Sequence, residues 1–410
     1  MYRQCHVMAK PGGAKCNIDC KYCFYHEKQS LYPQRKQHWK MSEETLEEYV
    51  KQHIAAQHSH PVTFSWQGGE PLLLGLPFFK RVVELCQRYG QGVKITHTLQ
   101  TNGILLNEEW ATFLAQHRFM VGLSVDGPET LHDRYRISHS GKGSHRFVMK
   151  ALSLLHRFQV DFNTLTVVGH HNVAHAGEVY EFLRHSGSRC MQFIPLVERV
   201  STEANPRLKL VTPDERKARL APWSVPSKQY GEFLSQVFDI WIRRDIGQIA
   251  VQMFDVAIAA WTRQPAVLCV HAETCGHAFA LEANGDLYNC DHYVYPQHLL
   301  GNIHHDSIDA INNSEAAMAF GLAKKLTLTD DCKVCQFRFA CQGGCPKHRF
   351  SRSSSGTAGH NYLCAGYQHF FKHIQPVMNL WAALLARGCP PAALIQYLRK
   401  QHRFSLRRAR

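Results

Sequence analysis

Three cysteines near the start of the chain, Cys16, Cys20 and Cys23, are separated by three and then by two residues. Three thiolates in one tight loop can bind three irons of a four-iron cluster, which leaves the fourth iron without a protein ligand. A structural metal site has four protein ligands, whereas a catalytic site keeps one position open. The triad therefore predicts an iron–sulfur site whose open iron binds a small molecule. The alternatives are a zinc loop that lacks its fourth ligand and three cysteines brought together by chance.

Aromatic residues lie among these ligands, namely Tyr22, Phe24 and Tyr25. The spacing and the aromatic residues together resemble the signature of the radical S-adenosylmethionine (SAM) enzymes. The resemblance implies that SAM chelates the open iron through its amino and carboxylate groups. An electron from the cluster would then cleave SAM to methionine and a 5′-deoxyadenosyl radical. The resemblance also places Tyr22 among the cofactor-binding residues.

The composition indicates a globular protein of more than one domain, with 410 residues of which 45% are hydrophobic. No apolar run reaches the roughly 18 residues that span a bilayer, and the first residues lack the apolar stretch of a signal peptide. We therefore expect a cytoplasmic protein without a membrane partner. Fifteen cysteines in such a protein favour metal binding over disulfides, because the cytosol keeps thiols reduced.

The formal net charge of +14 is high, and part of it comes from a basic tail that contains Arg403, Arg407, Arg408 and Arg410. The sequence contains no nucleic-acid motif and no basic helix interleaved with aromatic residues. We therefore expect no nucleic-acid partner, and we interpret the charge as a contribution to solubility.

The first half of the chain alternates between short apolar runs and amphipathic stretches. Strands are predicted over 2–8, 62–67, 93–100, 119–125, 160–168 and 190–197. Helices are predicted over 42–58, with Ser42 as its N-cap, and over 77–89, 107–117, 144–158 and 174–186. Repeated strand–helix units imply a parallel sheet with crossover helices, whose active residues gather at the carboxyl ends of the strands. The family resemblance makes this sheet a partial (β/α)6 barrel.

The run Gly68-Gly69-Glu70-Pro71 follows the second predicted strand. Glycines at a strand end allow a ligand to approach the backbone closely. The run resembles the GGE motif of radical SAM enzymes. The resemblance implies that the backbone at Gly69 and the carboxylate of Glu70 hold the amino group of SAM.

Further polar motifs end or follow the next predicted strands, at 100–103, 124–127 and 132–136. In this order they resemble the sulfatase-maturase and related peptide-modifying branch of the radical SAM enzymes. The resemblance implies that Ser124 and Arg136 contact the ribose and the carboxylate of SAM. It also implies that Leu196, on the sixth strand, lies against the adenine.

The second half of the chain contains eight clustered cysteines: Cys269, Cys275, Cys290, Cys332, Cys335, Cys341, Cys345 and Cys364. Eight ligands make two complete four-cysteine sites. Their spacing resembles the SPASM domain, a twin-cluster extension of radical SAM enzymes that modify peptides. The resemblance assigns Cys269, Cys275, Cys290 and Cys345 to a first auxiliary cluster. It assigns Cys332, Cys335, Cys341 and Cys364 to a second one, so that three [4Fe-4S] clusters are expected in all.

Zinc is the alternative for the eight C-terminal cysteines, because spacing alone does not separate zinc from iron. The N-terminal triad favours iron, because it indicates a redox enzyme. Such an enzyme benefits from iron–sulfur clusters that carry electrons, which zinc cannot do. Among the remaining cysteines we interpret Cys5, Cys86 and Cys190 as buried structural residues.

Asp291 directly follows Cys290. A solvated or capping carboxylate is the ordinary interpretation of one aspartate. The Cys-Asp pair, however, matches the position of the proposed catalytic base in anaerobic sulfatase-maturating enzymes. A carboxylate beside both a cluster and a substrate can take a proton while the substrate is oxidised.

The chain resembles the anaerobic sulfatase-maturating enzymes from about residue 5 to 370, in motifs such as MAKPGGAKCNIDCKYCFY and FSWQGGEP. The predicted fold is α/β, a partial (β/α)6 radical SAM barrel followed by a small Cys-rich SPASM domain and C-terminal helices. The predicted domains are the barrel (1–228), a helical connection (229–262), the SPASM domain (263–370) and a helical segment with the basic tail (371–410).

The implied reaction converts a cysteine or serine of an unfolded or nascent sulfatase polypeptide to Cα-formylglycine. The radical would take a hydrogen atom from Cβ, Asp291 a proton, and an auxiliary cluster the second electron. Serine would give the aldehyde directly and cysteine a thioaldehyde that water hydrolyses. A flavodoxin or ferredoxin is expected as the electron donor.

Two other functions remain open at this point. Another SPASM enzyme that forms thioether or carbon crosslinks in a peptide would share every cluster ligand. A non-catalytic metal-cluster scaffold would share the cysteines without the chemistry.

Overall fold

The structure, a computed structural model, describes residues 5–26, 28, 32, 38–57, 61–202, 210–213, 215, 217–390, 393–394 and 397–398. Its first six strands are β1 (His6–Lys10), β2 (Val62–Trp66), β3 (Ile95–Thr101), β4 (Phe119–Ser124), β5 (Phe162–Val168) and β6 (Cys190–Pro195). These strands pair in chain order and in parallel. The parallel sheet and the mixed α/β class confirm the predicted fold class.

Helices connect these strands, as the periodicity predicts. They are α1 (Glu43–Ala55), α2 (Leu76–Tyr89), α3 (Glu108–Gln116), the short α4 (Glu129–His132), α5 (His145–Arg157) and α6 (Ala176–His185). The side chain of Ser42 accepts a hydrogen bond from the Thr45 amide and caps α1, as predicted. Trp66 on β2 packs edge-on against Phe79 of α2, with ring centroids 5.9 Å apart. The helices therefore bury the apolar side chains of the sheet.

Four strands of the second half of the chain extend this sheet, and the others that the structure describes pair in two separate two-stranded sheets. Its strands include β7 (Arg199–Ser201), β8 (Ala218–Leu220), β9 (Ala250–Val251), β10 (Ala278–Glu282), β11 (Asp286–Tyr288) and β12 (Leu299–Asn302). Strand β10 pairs in parallel with β1, and β11 and β12 follow it in antiparallel order. At the opposite edge, β9 pairs in parallel with β6. The cysteine-rich segment thus lies directly beside the first barrel strand.

The predicted helical connection consists of two helices, α7 (Ser227–Arg244) and α8 (Gln252–Trp261). Helix α7 ends at Arg244, and the chain turns at Gly247, whose φ of 79° favours glycine. The intervening residues form β9 and so reach the sheet before α8 begins.

The remaining described elements are short, apart from the last helix. They are α9 (Ile308–Asn312), α10 (Glu315–Leu326), α11 (Asp330–Lys333), α12 (Arg338–Cys341), β13 (Ser351–Arg352), β14 (Ala358–His360) and α13 (Cys364–Ala386). Helix α13 continues across residue 370, where a domain boundary is predicted. It packs closely on α7, because a Cβ atom added to Gly231 would lie 2.2 Å from the Gly366 carbonyl oxygen.

The arginines of the predicted basic tail lie outside the described residues. Among the described helices, none is both long enough and apolar enough to cross a membrane.

Candidate functional site

The loop that carries Cys16, Cys20 and Cys23 packs against the segment that follows helix α4 in the sequence. The amides of Asp19 and Lys21 donate hydrogen bonds to the carbonyls of Ile137 and Tyr135, at 2.8 and 3.0 Å. Within the loop, the Cys23 amide donates to the Cys20 carbonyl at 3.0 Å. These bonds hold the three cysteines in one compact turn, as the spacing predicts.

The three thiols lie close enough to influence one another electrostatically. Burial raises the pKa of Cys16 to about 11 and that of Cys20 to about 12, and it also raises the pKa of Cys23. The thiols are therefore protonated in the free protein at neutral pH. Binding of iron must displace these protons, so assembly of a cluster releases protons.

Tyr22, between two of these cysteines, anchors the loop to the end of β4. Its hydroxyl donates a hydrogen bond to Asp126 Oδ2 at 2.6 Å, and Asp126 is fully buried. Arg136 donates to the same carboxylate through Nε at 2.9 Å and through Nη2 at 3.3 Å. The predicted cofactor residues Tyr22 and Arg136 are thus brought together by Asp126, for which the sequence analysis assigned no role.

The glycine loop after β2 packs against the chain that leads into the first cysteine. The Glu70 amide donates to the Lys15 carbonyl at 2.8 Å. A Cβ atom at Gly69 would lie 2.0 Å from the Lys15 carbonyl oxygen, so this position requires glycine. The motif therefore has a structural role in seating the cysteine loop, in addition to any role in ligand binding.

The carboxylate of Glu70 is buried and joins the ends of β2 and β3. Its oxygens accept hydrogen bonds from the Leu72 amide at 3.0 Å, from the Thr101 hydroxyl at 2.8 Å and from the Asn102 amide at 2.8 Å. Burial raises its pKa to about 7, although these donors oppose the increase. The Asn102 side chain continues the network, because its Nδ2 donates to Asn17 Oδ1 at 2.8 Å.

Ser124 and Leu196 lie at the ends of β4 and β6, on the same edge of the sheet as the glycine loop. Ser124 is half-buried and Leu196 is buried. Beside Leu196, the buried His171 ring has no hydrogen-bond partner at either nitrogen in the described part of the protein. The indole Nε1 of Trp223, whose backbone also reaches this point, has none either. Such orphaned polar atoms fit a site for a polar ligand such as a nucleoside.

Four of the C-terminal cysteines line one cavity, with an empty volume of about 360 Å³. They are Cys332, Cys335, Cys341 and Cys364. Burial raises the pKa of Cys341 and of Cys364 to about 12, and the nearby thiols of this same set add to the increase. The four residues assigned to the second auxiliary cluster are therefore neighbours in space.

The other four C-terminal cysteines form a second group. The Cys290 thiol lies within the electrostatic influence of Cys345 and Cys269, and the Cys275 thiol within that of Cys345. Burial raises the pKa of Cys269 to about 12 and that of Cys275 to about 11. This grouping matches the set assigned to the first auxiliary cluster.

All fifteen cysteines are free thiols, and Cys5 and Cys86 are buried whereas Cys190 is half-buried. In the residues that the structure describes, no group of three or more His, Cys, Asp or Glu side chains is arranged to hold a single metal ion. The fit to iron–sulfur clusters therefore rests on the thiol donors, their grouping into three sets, and the cavity that one set lines.

Asp291 lies where the cysteine-rich segment meets the barrel. Its Oδ1 is 3.3 Å from Cys290 Sγ, and its Oδ2 is 4.0 Å from the Nζ of the buried Lys10, at the end of β1. Burial alone would raise the pKa of Asp291, but the neighbouring His292 and Lys10 hold it below the usual range. Lys10 also donates to Gln67 Oε1 at 2.7 Å. Asp291 is thus an ionised carboxylate at the edge of the sheet that carries the other predicted residues.

Sequence reasoning assigned no role to Lys10, Asn102, Asp126 and His171. Lys10 and Asp126 lie inside motifs that carry the family resemblance, and Asn102 and His171 lie just after predicted strands. The sequence signal that could identify such residues is therefore a polar side chain at or just after the end of a predicted strand.

Comparison with known proteins gives two family matches and several relatives that cover nearly the whole chain. Residues 11–183 match the radical SAM superfamily and residues 269–336 match an iron–sulfur cluster-binding domain, SPASM. A serine-type anaerobic sulfatase-maturating enzyme of Bacteroides thetaiotaomicron is 39% identical over 96% of this chain and 95% of its own. A cysteine-type anaerobic sulfatase-maturating enzyme of Clostridium perfringens is 31% identical over 90% of this chain and 96% of its own.

The fold has a close counterpart among solved structures. The structure described as native anSMEcpe with bound AdoMet and Cp18Cys peptide superposes with a TM-score of 0.80. The match covers 93% of this chain and 99% of that one, at 30% identity.

Proposed function

The chain belongs to the anaerobic sulfatase-maturating enzymes of the radical SAM superfamily, and we propose that it oxidises a cysteine or serine of a sulfatase polypeptide to Cα-formylglycine. The observation that carries the proposal is the position of Asp291. Its ionised carboxylate lies 3.3 Å from the thiol of Cys290, which we propose as a cluster ligand, and 4.0 Å from Lys10 at the end of β1, which supports a role as the proton acceptor.

The reaction removes two electrons from the substrate side chain. When bound, SAM and the three clusters supply a radical that takes one hydrogen atom from Cβ and an acceptor for the second electron. Asp291 takes the thiol or hydroxyl proton at a carboxylate oxygen. Lys10, 4.0 Å from Oδ2, keeps that carboxylate ionised before the reaction.

We assign the SAM site to Tyr22, Gly69, Glu70, Ser124, Arg136 and Leu196. Arg136 uses Nε and Nη2 for Asp126, which leaves Nη1 to bind the SAM carboxylate. The carboxylate of Glu70 already accepts three hydrogen bonds, and a carboxylate has about four lone-pair positions. It can therefore accept one more bond from the SAM amino group without losing its contacts to β3.

We assign the first cluster to Cys16, Cys20 and Cys23, and the two auxiliary clusters to the two cysteine groups described above. The grouping of the thiols and the cavity at the second group support this assignment. We also keep the division into a barrel (1–228), a helical connection (229–262), a SPASM domain (263–370) and a C-terminal segment (371–410) as a proposal.

The proposed partners are an unfolded or nascent sulfatase chain and a low-potential electron donor such as a flavodoxin or ferredoxin. An extended peptide is required because the target side chain must enter the barrel between the two cysteine-bearing segments. We propose that the protein works in the cytoplasm, where sulfatases are unfolded as they are synthesised, and that it binds no nucleic acid.

The test uses Asp291→Asn, which preserves the size of the side chain and removes the proton acceptor. We expect the variant to cleave SAM but to form formylglycine about 10²–10⁴ times more slowly, the usual contribution of a general base. Both products are measured in one anaerobic reaction, 5′-deoxyadenosine by chromatography and the peptide by mass spectrometry. Matched serine and cysteine peptides from a sulfatase show which target residue is accepted.

Asp330→Asn is the matched control, because Asp330 lies two residues from the ligand Cys332 but is exposed. We expect it to form formylglycine at the normal rate. A normal rate from Asp291→Asn would remove Asp291 from the mechanism. A crosslinked peptide in place of formylglycine would instead favour the rival peptide-modifying activity.

A further inference from the structure

Two cations, one buried and one half-buried, lie among the thiols that we assign to the auxiliary clusters. One is Lys324 on α10, which is 1% exposed, and the other is the half-buried Arg349. In the part of the chain that the structure describes, neither forms an ion pair with a carboxylate. A cation removed from water needs a compensating charge nearby, because an unpaired buried charge is costly.

Lys324 contacts the loop that carries the first ligand of the first auxiliary cluster. Its Nζ donates hydrogen bonds to the carbonyls of Cys269 at 2.6 Å, Val270 at 2.9 Å and Ala272. The thiols within its electrostatic influence are those of Cys269, Cys275 and Cys345. All three belong to the first auxiliary site.

Arg349 contacts the short connector between the two sites. Its Nε donates to the Gly343 carbonyl at 3.1 Å and its Nη2 to the Gln342 carbonyl at 3.2 Å. These two residues lie between Cys341, a ligand of the second site, and Cys345, a ligand of the first.

The guanidinium also ties this connector to α10. Its Nη1 donates to the Lys324 carbonyl at 2.6 Å. The thiols within its electrostatic influence are Cys332 and Cys341 of the second site, and Cys275 and Cys345 of the first. Arg349 is therefore a cation close to the thiols of both auxiliary sites, whereas Lys324 is close to the thiols of the first site.

An iron–sulfur cluster with four thiolate ligands is an anion, and reduction adds one negative charge. A fixed cation nearby stabilises the reduced form more than the oxidised form, so it raises the reduction potential. We infer that Arg349 raises the reduction potentials of both auxiliary clusters, and that Lys324 raises that of the first alone. The inference rests on the proposed cluster assignment and does not depend on the identity of the substrate.

This arrangement serves the second half of the proposed reaction. The substrate radical must lose one electron to an auxiliary cluster, and a higher potential makes that transfer more favourable. Because Arg349 acts on both sites, it favours uptake of the electron at either auxiliary cluster, whereas Lys324 favours uptake at the first.

The test measures midpoint potentials by EPR-monitored redox titration of the reconstituted protein, without SAM or substrate. The background variant has Cys16, Cys20 and Cys23 replaced by Ala, so that the two auxiliary sites are the only clusters. A further variant with Cys332 and Cys335 replaced by Ala assigns one titration step to each site. We expect Arg349→Gln to lower both potentials and Lys324→Gln to lower only that of the first site.

Two comparisons separate the charge from the packing. Arg349→Lys keeps the charge but loses most hydrogen bonds, and we expect near-normal potentials. The exposed Arg352→Gln, three residues away, should change neither potential. Unchanged potentials in Arg349→Gln with full iron content would overturn the inference. If Arg349→Gln does not retain its clusters, Arg349→Lys becomes the test. Lowered reduction potentials in that variant would overturn the inference, because they would show that the hydrogen bonds of Arg349, and not its charge, set the potentials.

The iron content of the unsubstituted protein is measured first and tests the cluster assignment separately. Failure to make formylglycine would refute the proposed activity while leaving these potentials unaffected.

Discussion

Replacing Asp126 with Asn should destabilise the barrel strongly, because this fully buried carboxylate is the anion for a buried arginine. Asp126 accepts two hydrogen bonds from Arg136, one from Tyr22 and one from the Val167 amide at 2.9 Å. Asn can keep some of these bonds but leaves the guanidinium without a counter-charge. Removal of one partner from a buried ion pair costs about 3–5 kcal/mol.

The assay is differential scanning calorimetry of the metal-free protein under reducing conditions. One kcal/mol lowers the melting temperature by about 2–4 °C for a domain of 150–250 residues, the size predicted for the barrel. We therefore expect the barrel transition to fall by about 6–20 °C. Asp239→Asn is the control, since it breaks an exposed pair with His373 that should contribute no more than about 1 kcal/mol.

The double variant Asp126→Asn with Arg136→Met distinguishes the ion pair from simple packing. It removes the unpaired cation, so it should be more stable than Asp126→Asn alone. A double variant less stable than either single one would refute the reasoning. Equal melting temperatures for Asp126→Asn and the control would refute it as well.

Two other predictions concern the first cluster. Replacing Cys16, Cys20 and Cys23 together by Ala should abolish 5′-deoxyadenosine formation and reduce the iron content from about twelve to about eight atoms, with four in each remaining cluster; stoichiometric zinc, or SAM cleavage by the variant, would contradict the assignment. Gly69→Ala should slow SAM cleavage and should lower the free energy of unfolding by about 1–3 kcal/mol, because its Cβ would lie 2.0 Å from the Lys15 carbonyl oxygen. Gly177→Ala, where the nearest atom is 3.6 Å away, should be tolerated, and equal behaviour of the two variants would show that this close approach is unimportant.

The strands and helices of the first half could be predicted from the sequence because their signals are local, whereas the partial barrel was implied by the family resemblance. Each strand is a short apolar run, and each helix has its own period and often its own cap, as at Ser42. The boundaries agree within a few residues, for example 119–125 predicted against Phe119–Ser124 observed. The cysteine spacings are local signals as well.

The pairing of β10 with β1 could not be predicted, because it joins segments far apart in the chain, with His6 opposite Ala278. Nothing in either strand alone specifies this partner. The same limit applies to the buried network of Asp126 and Arg136, and to Lys10 beside Asp291. The sequence placed these residues near strand ends, whereas only the assembled fold shows which of them meet.

The pairing of β10 with β1 also brings together the two groups that the proposed mechanism needs to remove a proton and an electron from one substrate side chain. It places Asp291 at the end of β1, where Lys10 holds its carboxylate ionised. Cys290, a proposed ligand of the first auxiliary cluster, is the adjacent residue, so the proposed proton acceptor and the proposed electron acceptor lie side by side. A substrate radical bound beside Asp291 and Cys290 would need to transfer its proton and its electron over only a short distance. Beyond Cys290, the connector held by Arg349 leads to the second cysteine group, which lines a cavity of its own. The proposed electron path therefore leads away from the substrate, and in the proposed mechanism the proton stays on Asp291.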